Sequence, residues 1–531
     1  MGHIDEAVDI IVRSNYDYYQ QYDEEYNNLT MTELELSKFN YRSNRQLYGV
    51  HREDVGFLTN KFKVENVCLL PTFSSSHMMY LCHNAQYDRK VMEHFKITNA
   101  YTMITDLHQP DNDQYLKDYL DIVIDQIEKQ LIHLLNSQAI TMEHYQQMII
   151  DQHYSVEFNS ISFLPDTRFE MVPFRPCIND VCGPTTRIAK YLHSLIYPFY
   201  YLAAQSTTFN TGSEVVQEFE KYKNNDLLQS ITQFVMIDMK DFESTFDHKQ
   251  VMITFDRFLH DHVDKQKING LSFSTILSLV RLILRMQYFI YDNKLYQQTK
   301  GGGIDLPITK LLLNIYLFYW QQDLTKVLYS KREIFGRNST QLFFTWNASK
   351  RRLVTLLTMI KSKQHHLSMN FFIGTSIRFL DVEITHNDSI LRTKPYRSCL
   401  SQSYTLSYTT NKPSKYYFHI IRTLLIQAIS CCINIHDFFK EFEFMYSICL
   451  FNRFPLGFID TCTSEFFNEF NTSKVDYEDN QHTYEKLRQQ IIGSDRCLVL
   501  STNNKRRQYD IHLNNDLDYQ INRKRMKTCV Q

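Results

Sequence analysis

The sequence predicts an α+β fold, and three observations lead to that class. Short apolar runs with a period of two residues predict strands, and longer runs with helical apolar spacing predict helices. The chain has only 13 Gly and 11 Pro, so few residues interrupt these elements. Its 35 Tyr and 37 Phe favour well-filled layers over a solenoid or a disordered chain.

Composition sets bounds on size and on partners. A chain of 531 residues is long for one domain and predicts two to four packed units. The formal net charge of −2 recruits neither nucleic acid nor an anionic membrane, so any surface for a polyanion must be a local patch. The 11 Cys are scattered without a C-x-x-C pair. We therefore expect reduced, mostly buried thiols rather than zinc ligands or a disulfide framework.

Targeting signals are weak along the chain. The start carries Asp5 and Glu6 and no apolar segment typical of a secretory signal. The most apolar run, residues 420–435, contains Arg422 and Gln427 and is too short to span a bilayer. We therefore expect a soluble intracellular protein without a membrane partner.

The first half of the chain begins with a polar region and becomes helical. Residues 1–60 hold a tyrosine cluster at 16–26 among acidic and amide residues, and both an amphipathic helix and a partly disordered segment fit them. Residues 113–152 show helical spacing, with Thr141 as an expected N-cap.

Residues 154–190 combine strands with basic side chains. The period changes to two over residues 154–165, which predicts a strand, and residues 174–178 predict a second short one. Pro184 then precedes a helical pattern, since proline is favoured near a helix start. Three cations make this region locally basic: Arg175, Arg187 and Lys190.

The middle of the chain contains an apolar strand, residues 233–238, that runs into the carboxylate of Asp238. Helices are predicted at 251–262, 272–286 and 309–324, and Asp292-Asn293 predicts a hairpin turn between two aromatic-rich strands. Gly301, Gly302 and Gly303 form the only glycine cluster in the chain. Without the Gly-Lys-Ser ending of a phosphate-binding loop, this cluster predicts a turn that permits close backbone approach.

Residues 335–346 are the stretch on which the function depends. Leu342 to Phe344 predict a buried strand that follows a polar hairpin tip at Thr340 and Gln341. A helix is expected at 349–363, strands around 376–384, and helices onward to about residue 470. The polar tail carries basic clusters at 505–507 and 523–525, which fit a nuclear-import signal, phosphate contacts or a solvated tail.

Several blocks resemble reverse transcriptases. Residues 296–310 and 313–317 are similar to motif B of those enzymes, residues 379–384 resemble the block that follows the palm core in the Penelope-like branch, and residues 454–458 resemble the closing block of that branch's thumb. The resemblance covers roughly residues 110–465 and is nearest to Penelope-like reverse transcriptases and related domesticated cellular proteins.

The resemblance implies a right-hand polymerase with fingers, an antiparallel-sheet palm, a helical thumb and a helical N-terminal extension. The implied divisions are 1–110 for the extension, 111–232 for a helical lead-in and fingers, 233–387 for the palm, 388–470 for the thumb and 471–531 for a polar, basic tail. The implied partner is an RNA or DNA template-primer.

The resemblance also implies roles for single residues. Asp238 takes the place of the motif A metal ligand, and Glu243 stands where a residue gates the sugar 2′ position. Arg175, Arg187 and Lys190 lie in the segment that grips the triphosphate, although Arg175 also fits a plain ion pair with a carboxylate. Gln298 and Gly301–Gly303 match the segment that packs under the template base.

Three departures separate this chain from the family. Asp305 replaces a glycine, Lys310 replaces a proline, and Thr340 and Gln341 stand where motif C has two aspartates. Nucleotidyl transfer in this family needs two Mg²⁺ or Mn²⁺ ions held by carboxylates from different strands. A hydroxyl and an amide add no charge, so we expect a reverse-transcriptase domain with a decayed catalytic centre that binds no metal.

Two alternatives remain open at this point. The first is an active reverse transcriptase or terminal nucleotidyltransferase that uses Asp238, Mg²⁺ or Mn²⁺ and non-standard ligands. The second is a structural or interaction protein that does not bind nucleic acid, which the near-neutral charge allows. The oligomeric state is left open by the sequence.

Overall fold

A computed structural model describes most of the chain from residue 66 to residue 493. The described residues are 66–72, 75–107, 112–150, 156–167, 172–179, 183–240, 242–303, 306–362, 368–396, 408, 413–470 and 481–493. The tyrosine cluster at 16–26, both basic tail clusters and the residues Asp241 and Asp305 lie outside them.

The described residues form an α+β fold, as the sequence predicts. The helices are α1 Asn84–Thr98, α2 Asn112–Asn136, α3 Met142–Met148, α4 Thr186–Ala204, α5 Gly212–Asn224, α6 Phe242–Thr245, α7 His248–His262, α8 Phe273–Arg285, α9 Pro307–Trp320, α10 Gln322–Tyr329, α11 Lys350–Ser362, α12 Ser414–Cys431, α13 Ile435–Phe451, α14 Leu456–Asn468 and α15 Gln481–Ile492. The strands are β1 Val67–Thr72, β2 Ser75–His83, β3 Tyr101–Asp106, β4 Asn159–Pro165, β5 Phe174–Asn179, β6 Gln233–Lys240, β7 Lys267–Ile268, β8 Leu271–Ser272, β9 Tyr288–Tyr291, β10 Lys294–Gln298, β11 Phe335–Asn338, β12 Gln341–Trp346, β13 Ser368–Gly374, β14 Ser376–Phe379, β15 Val382–Asn387 and β16 Ile390–Pro395.

A four-stranded antiparallel sheet lies at the centre, in the order β11-β12-β6-β13. Leu342, Phe343 and Phe344 of β12 have no exposed surface, so the predicted buried strand is confirmed. The largest apolar cluster joins one face of this sheet to α4, α7, α8 and α9. Burial of this kind contributes about 25 cal/mol for each Å² of apolar surface removed from water, which makes the cluster the main stabilising feature of the fold.

A second sheet has five strands in the order β3-β10-β9-β4-β5. The turn between β9 and β10 has φ of 47° at Asp292 and 49° at Asn293, so the predicted Asp-Asn hairpin is confirmed. Two consecutive left-handed residues match the right-handed twist of the strands, and Asp and Asn tolerate that conformation.

The described part of the N-terminal region contains more strand than the sequence suggested. We expected residues 1–110 to form an extension that is helical or partly disordered, yet its described part contains the β1–β2 hairpin and strand β3 as well as helix α1. Strand β3 pairs with β10 and so belongs to the five-stranded sheet. Strand β3 has six residues, and its pairing with β10 defines it.

Helices α12, α13, α14 and α15 share a separate apolar cluster. The predicted thumb ends at residue 470, and α15 continues this cluster beyond it. Arg488 of α15 is 1% exposed; it pairs through both terminal nitrogens with the carboxylate of Glu220 on α5, with Nη2 3.0 Å from Oε2. This ion pair connects α15, the last helix among the described residues, to α5.

Local signals in the sequence place several helix ends correctly. Thr141 caps α3 through a reciprocal pair of hydrogen bonds with His144, each 3.3 Å long, which confirms the expected N-cap.

Within the described ranges, no helix is both long enough and apolar enough to cross a membrane.

Candidate functional site

Asp238 lies in β6, one of the two inner strands of the central sheet, and is 2% exposed. Its cross-strand partners are Gln341 on β12 and Asn370 on β13. The backbone N–H of Met239 donates to the carbonyl oxygen of Thr340 over 3.1 Å. The structure thus brings together the three residues that the sequence placed at the centre of the site, with a glutamine opposite the aspartate.

The tip of the β11–β12 hairpin consists of Ser339 and Thr340, because Asn338 and Gln341 form the last cross-strand pair. Ser339 has φ of 51°, a left-handed conformation that a two-residue hairpin requires. The Asn338 side-chain amide donates to the carbonyl oxygen of Phe209 over 2.8 Å. The tip is therefore fixed, and its side chains are neutral.

Arg337 holds this hairpin from beneath, and sequence reasoning gave it no role. Its side chain has no exposed surface. The guanidinium donates to Gln321 Oε1 at 2.8 Å, Asn314 Oδ1 at 2.8 Å, the Tyr200 hydroxyl at 2.9 Å, and the carbonyl oxygens of Ser339 at 3.0 Å and Asn314 at 3.3 Å. All five acceptors are neutral, so hydrogen bonds alone offset the desolvation of the charge.

Glu243 lies next to the hairpin tip. Its Oε1 accepts a hydrogen bond from Ser339 Oγ over 3.3 Å. Its backbone carbonyl accepts one from the N–H of Gly302 over 3.0 Å. Helix α6, which carries Glu243, therefore bridges the hairpin and the glycine turn, and it brings a second carboxylate to the tip.

Gly301 and Gly302 permit close approach of neighbouring groups. A Cβ on Gly301, where φ is +65°, would lie 2.2 Å from the carbonyl carbon of Ser244, and one on Gly302 would lie 2.4 Å from Thr309 Cγ2. The prediction of a close-approach turn is confirmed.

The backbone N–H groups of the same turn are all used within the chain. Gly301 donates to the carbonyl oxygen of Phe246 at 2.8 Å, and Gly302 donates to that of Glu243 at 3.0 Å. Gly303 donates to Gln287 Oε1 at 3.1 Å. A phosphate-binding loop needs such groups directed at its ligand. The glycine turn consequently has no N–H left for a phosphate.

Gln298 lies at the end of β10 and is 2% exposed. Its backbone N–H donates to the carbonyl oxygen of Gln287 over 2.9 Å. Together with Asn159, Thr185 and Leu306, both glutamines line a small cavity. The contact of Gln298 with a template base stays a prediction.

The three predicted triphosphate contacts have different surroundings. Arg175 Nε lies 2.6 Å from Oδ2 of Asp166, whose side chain has no exposed surface. Arg187 Nη2 donates to the carbonyl oxygen of Gln146 over 3.3 Å, and Lys190 is exposed on α4. Arg175 thus forms an ion pair with a carboxylate, which the sequence left open as the alternative to a triphosphate contact.

Helix α4 also carries a histidine that stays neutral near physiological pH. Burial, with a smaller contribution from the nearby Lys310 cation, lowers the pKa of His193 from 6.5 to about 4. The ring of His193 stacks on Tyr197 with 5.2 Å between the ring centroids. This part of α4 therefore contributes no positive charge through histidine.

Asp381, which lies between β14 and β15, has a structural role. Its Oδ1 accepts from the backbone N–H of Gly212 at the start of α5 over 2.7 Å, and its Oδ2 accepts from Gln427 Nε2 of α12 over 3.0 Å. A carboxylate at a helix N-terminus is stabilised by the helix dipole. Asp381 thus connects the three-stranded sheet formed by β14, β15 and β16 to both helices.

The donor groups at the centre do not fit a pair of divalent ions. Asp238 provides one carboxylate, while Thr340 and Gln341 provide a hydroxyl and an amide. Among the residues that the structure describes, no group of three His, Cys, Asp or Glu side chains is placed to hold a metal ion. Mg²⁺ and Mn²⁺ prefer several anionic oxygens, so these residues do not make a two-metal centre.

No family model and no curated protein matches the sequence. Solved structures with a similar arrangement are polymerases. They include telomerase from Candida albicans with a fragment of telomeric RNA, at 11% identity and a TM-score of 0.49 over 80% of this chain and 70% of that one. Apo telomerase from Candida tropicalis aligns at 8% identity and a TM-score of 0.43 over 93% and 85%.

A viral polymerase is also similar: the RNA-dependent RNA polymerase of a sicinivirus aligns at 10% identity and a TM-score of 0.37 over 59% of this chain and 68% of that one. With TM-scores below 0.5, none of these likenesses carries an argument about activity. The α+β class rests on the strand order of this chain itself.

Proposed function

We propose that this chain is a reverse-transcriptase-like protein that does not polymerise nucleotides and that binds nucleic acid. The observation that supports the first part is the direct pairing of Asp238 with Gln341 across the central sheet. In the family that the sequence resembles, position 341 would hold a carboxylate. Here it holds a neutral amide.

The energetic consequence is large. Asp238 and the nearby Glu243 are carboxylates of β6 and α6, whereas the facing β11–β12 hairpin brings none, because Thr340 and Gln341 add no charge. One side of a two-metal site therefore lacks anionic ligands. Loss of transition-state electrostatics of this kind costs about 3 to 4 kcal/mol for each lost group, or about 10²- to 10³-fold in rate. Loss of both motif C carboxylates would therefore reduce nucleotidyl transfer below a useful rate.

The scaffold around the site does not depend on a metal. The guanidinium of Arg337 holds the hairpin through neutral acceptors, and the glycine turn is held by its own N–H groups. Such a hairpin can keep its geometry after the loss of its catalytic side chains. This favours a stable fold with a binding role.

A local basic surface supports nucleic-acid binding. Helix α11 begins with Lys350, Arg351 and Arg352, all exposed, and it contains no acidic residue. Lys331 lies close by, since its Nζ is 4.6 Å from the ring centroid of Trp346 and Trp346 Nε1 donates to the carbonyl oxygen of Ser349. A cluster of cations on a chain with a net charge of −2 is the type of patch that binds a phosphate backbone.

Primer extension and gel-shift binding test the two parts separately. We expect no extension of an RNA- or DNA-templated primer with Mg²⁺ or Mn²⁺. Extension by the wild type that is lost in Asp238→Asn would overturn the first part.

Binding of RNA or DNA should weaken with salt, and replacing Lys350, Arg351 and Arg352 by Ala should reduce the slope of log K against log salt by about two to three. If the chain binds neither RNA nor DNA at low salt, the nucleic-acid part of the proposal is rejected and the alternative of a structural or interaction protein remains.

A second candidate is a nucleotidyltransferase with an unusual carboxylate set. The contact between Glu243 and Ser339 favours it, because a second carboxylate lies at the hairpin tip. The same extension assay distinguishes it: activity lost in both Asp238→Asn and Glu243→Gln would support this candidate, and absence of activity in the wild type would reject it.

A further inference from the structure

Two cysteines face each other in the N-terminal β1–β2 hairpin. Cys68 of β1 and Cys82 of β2 are cross-strand partners in the antiparallel register. Their sulfur atoms are 3.3 Å apart. They lie 14 positions apart in the sequence, without the short spacing of a redox motif, and only the register of the hairpin brings them together.

The backbone geometry suits a covalent bond between them. Directly opposed residues in an antiparallel pair have Cα atoms about 4.5 to 5.5 Å apart. Disulfides connect residues whose Cα atoms are about 4.4 to 6.8 Å apart, with an S–S bond of about 2.05 Å. The two sulfurs therefore need to approach by little more than about 1 Å, which side-chain rotation can supply.

The two thiols differ in exposure and in acidity. Cys68 is half-buried, whereas Cys82 is 3% exposed. A hydrogen bond from the Cys82 thiol lowers the pKa of Cys68, and the same interaction, together with burial, raises the pKa of Cys82. Because the thiolate is the nucleophile, Cys68 is suited to react first and Cys82 to react second.

We propose that Cys68 and Cys82 form a reversible disulfide by exchange with a low-molecular-weight disulfide. The Cys68 thiolate attacks one sulfur of that oxidant, the oxidant's S–S bond breaks, and one of its halves leaves as a thiolate. The Cys82 thiolate then attacks the sulfur of Cys68 in the mixed disulfide, and the second half leaves. The two protons released by the cysteines protonate the two leaving thiolates, so one disulfide is consumed and one is formed.

The bond would cross-link the two strands of a hairpin that packs against the five-stranded sheet. Cys82 and Tyr80 belong to an apolar cluster with Phe163 of β4 and Phe174 of β5. Phe174 precedes Arg175, one of the basic residues near the expected nucleotide-binding segment. Oxidation therefore joins both strands of the hairpin that packs on this cluster.

The test uses the full chain, with glutathione disulfide as the oxidant, followed by alkylation of the remaining thiols and peptide mass spectrometry. We expect a peptide that contains Cys68 linked to Cys82, and recovery of both thiols after dithiothreitol. Cys177→Ser, which removes another half-buried cysteine, should leave this link unchanged. Cys68→Ser should abolish it and leave Cys82 unmodified because of its burial.

Two results would overturn the proposal. One is a wild-type chain in which the link does not form, so that both cysteines are alkylated after denaturation at every ratio of oxidised to reduced glutathione. The other is glutathione retained on Cys68 without a link to Cys82. Because a wild-type titration gives either result without any variant, misfolding of Cys68→Ser does not affect the conclusion.

Discussion

Replacement of the buried Arg337 by methionine should destabilise the centre of the fold strongly. Methionine keeps much of the volume but removes five hydrogen bonds to four residues. A buried acceptor left unsatisfied costs about 1 to 3 kcal/mol. Because side-chain acceptors can rotate, we assign a full cost to about two of the five acceptors, which gives about 4 kcal/mol.

Calorimetry of the wild type and of Arg337→Met measures this difference. For a cooperative unit of about 200 residues, a loss of 4 kcal/mol lowers the thermal midpoint by about 10 °C. Hydrogen exchange of the β11 and β12 amides should accelerate in parallel, because the hairpin loses its anchor. Arg351→Met, which removes an exposed arginine of α11, is the matched control and should change stability by no more than about 0.5 kcal/mol. A loss below about 1 kcal/mol in Arg337→Met would refute the assignment of Arg337 as the anchor of the hairpin.

Three further predictions follow from contacts described above. The pKa of His193 is about 4 in the folded chain and 6.5 in the unfolded one, so between these pH values the unfolded chain binds more protons. The free energy of unfolding should therefore fall as the pH drops from 6.5 to 4. In thermal scans, His193→Gln should lose less stability over this range than the wild type, by up to about 3 kcal/mol. Gly301→Ala should cost about 3 kcal/mol or more in calorimetry because its Cβ meets backbone at a positive φ, whereas Gly457→Ala, whose Cβ has nothing within 4 Å, should change stability by no more than about 1 kcal/mol; equal effects would contradict the close-approach argument. Arg488→Met should leave the Glu220 carboxylate without its partner, and limited proteolysis should then release the C-terminal helix α15 faster than in the wild type.

Local patterns predicted much of the fold because local physics sets them. The run from Leu342 to Phe344 is apolar enough to be a central strand, and the Asp292-Asn293 pair has the residue types that a tight hairpin turn needs. The juxtaposition of Asp238 with Gln341 was also expected, but only through a resemblance that fixed the order of the blocks.

Long-range features were not predictable in the same way. A strand arginine such as Arg337 usually faces solvent, and only the packing of α4, α9 and α10 around it makes it a buried anchor. Asp381 connects helices that are far apart in sequence. The Cys68–Cys82 pair depends on the register of a hairpin that the sequence did not indicate. All three features depend on contacts between segments that are distant in the sequence. The local spacing of apolar residues does not determine such contacts.

Binding of Mn²⁺ to the central sheet tests the proposed loss of the catalytic centre most directly. Electron paramagnetic resonance of the wild type titrated with Mn²⁺ should show no bound ion that depends on Asp238. The double variant Thr340→Asp, Gln341→Asp should bind a Mn²⁺ ion, and adding Asp238→Asn to that variant should remove the bound ion. Bound Mn²⁺ in the wild type that disappears in Asp238→Asn would contradict the account, because the neutral hairpin tip would then support a metal site after all.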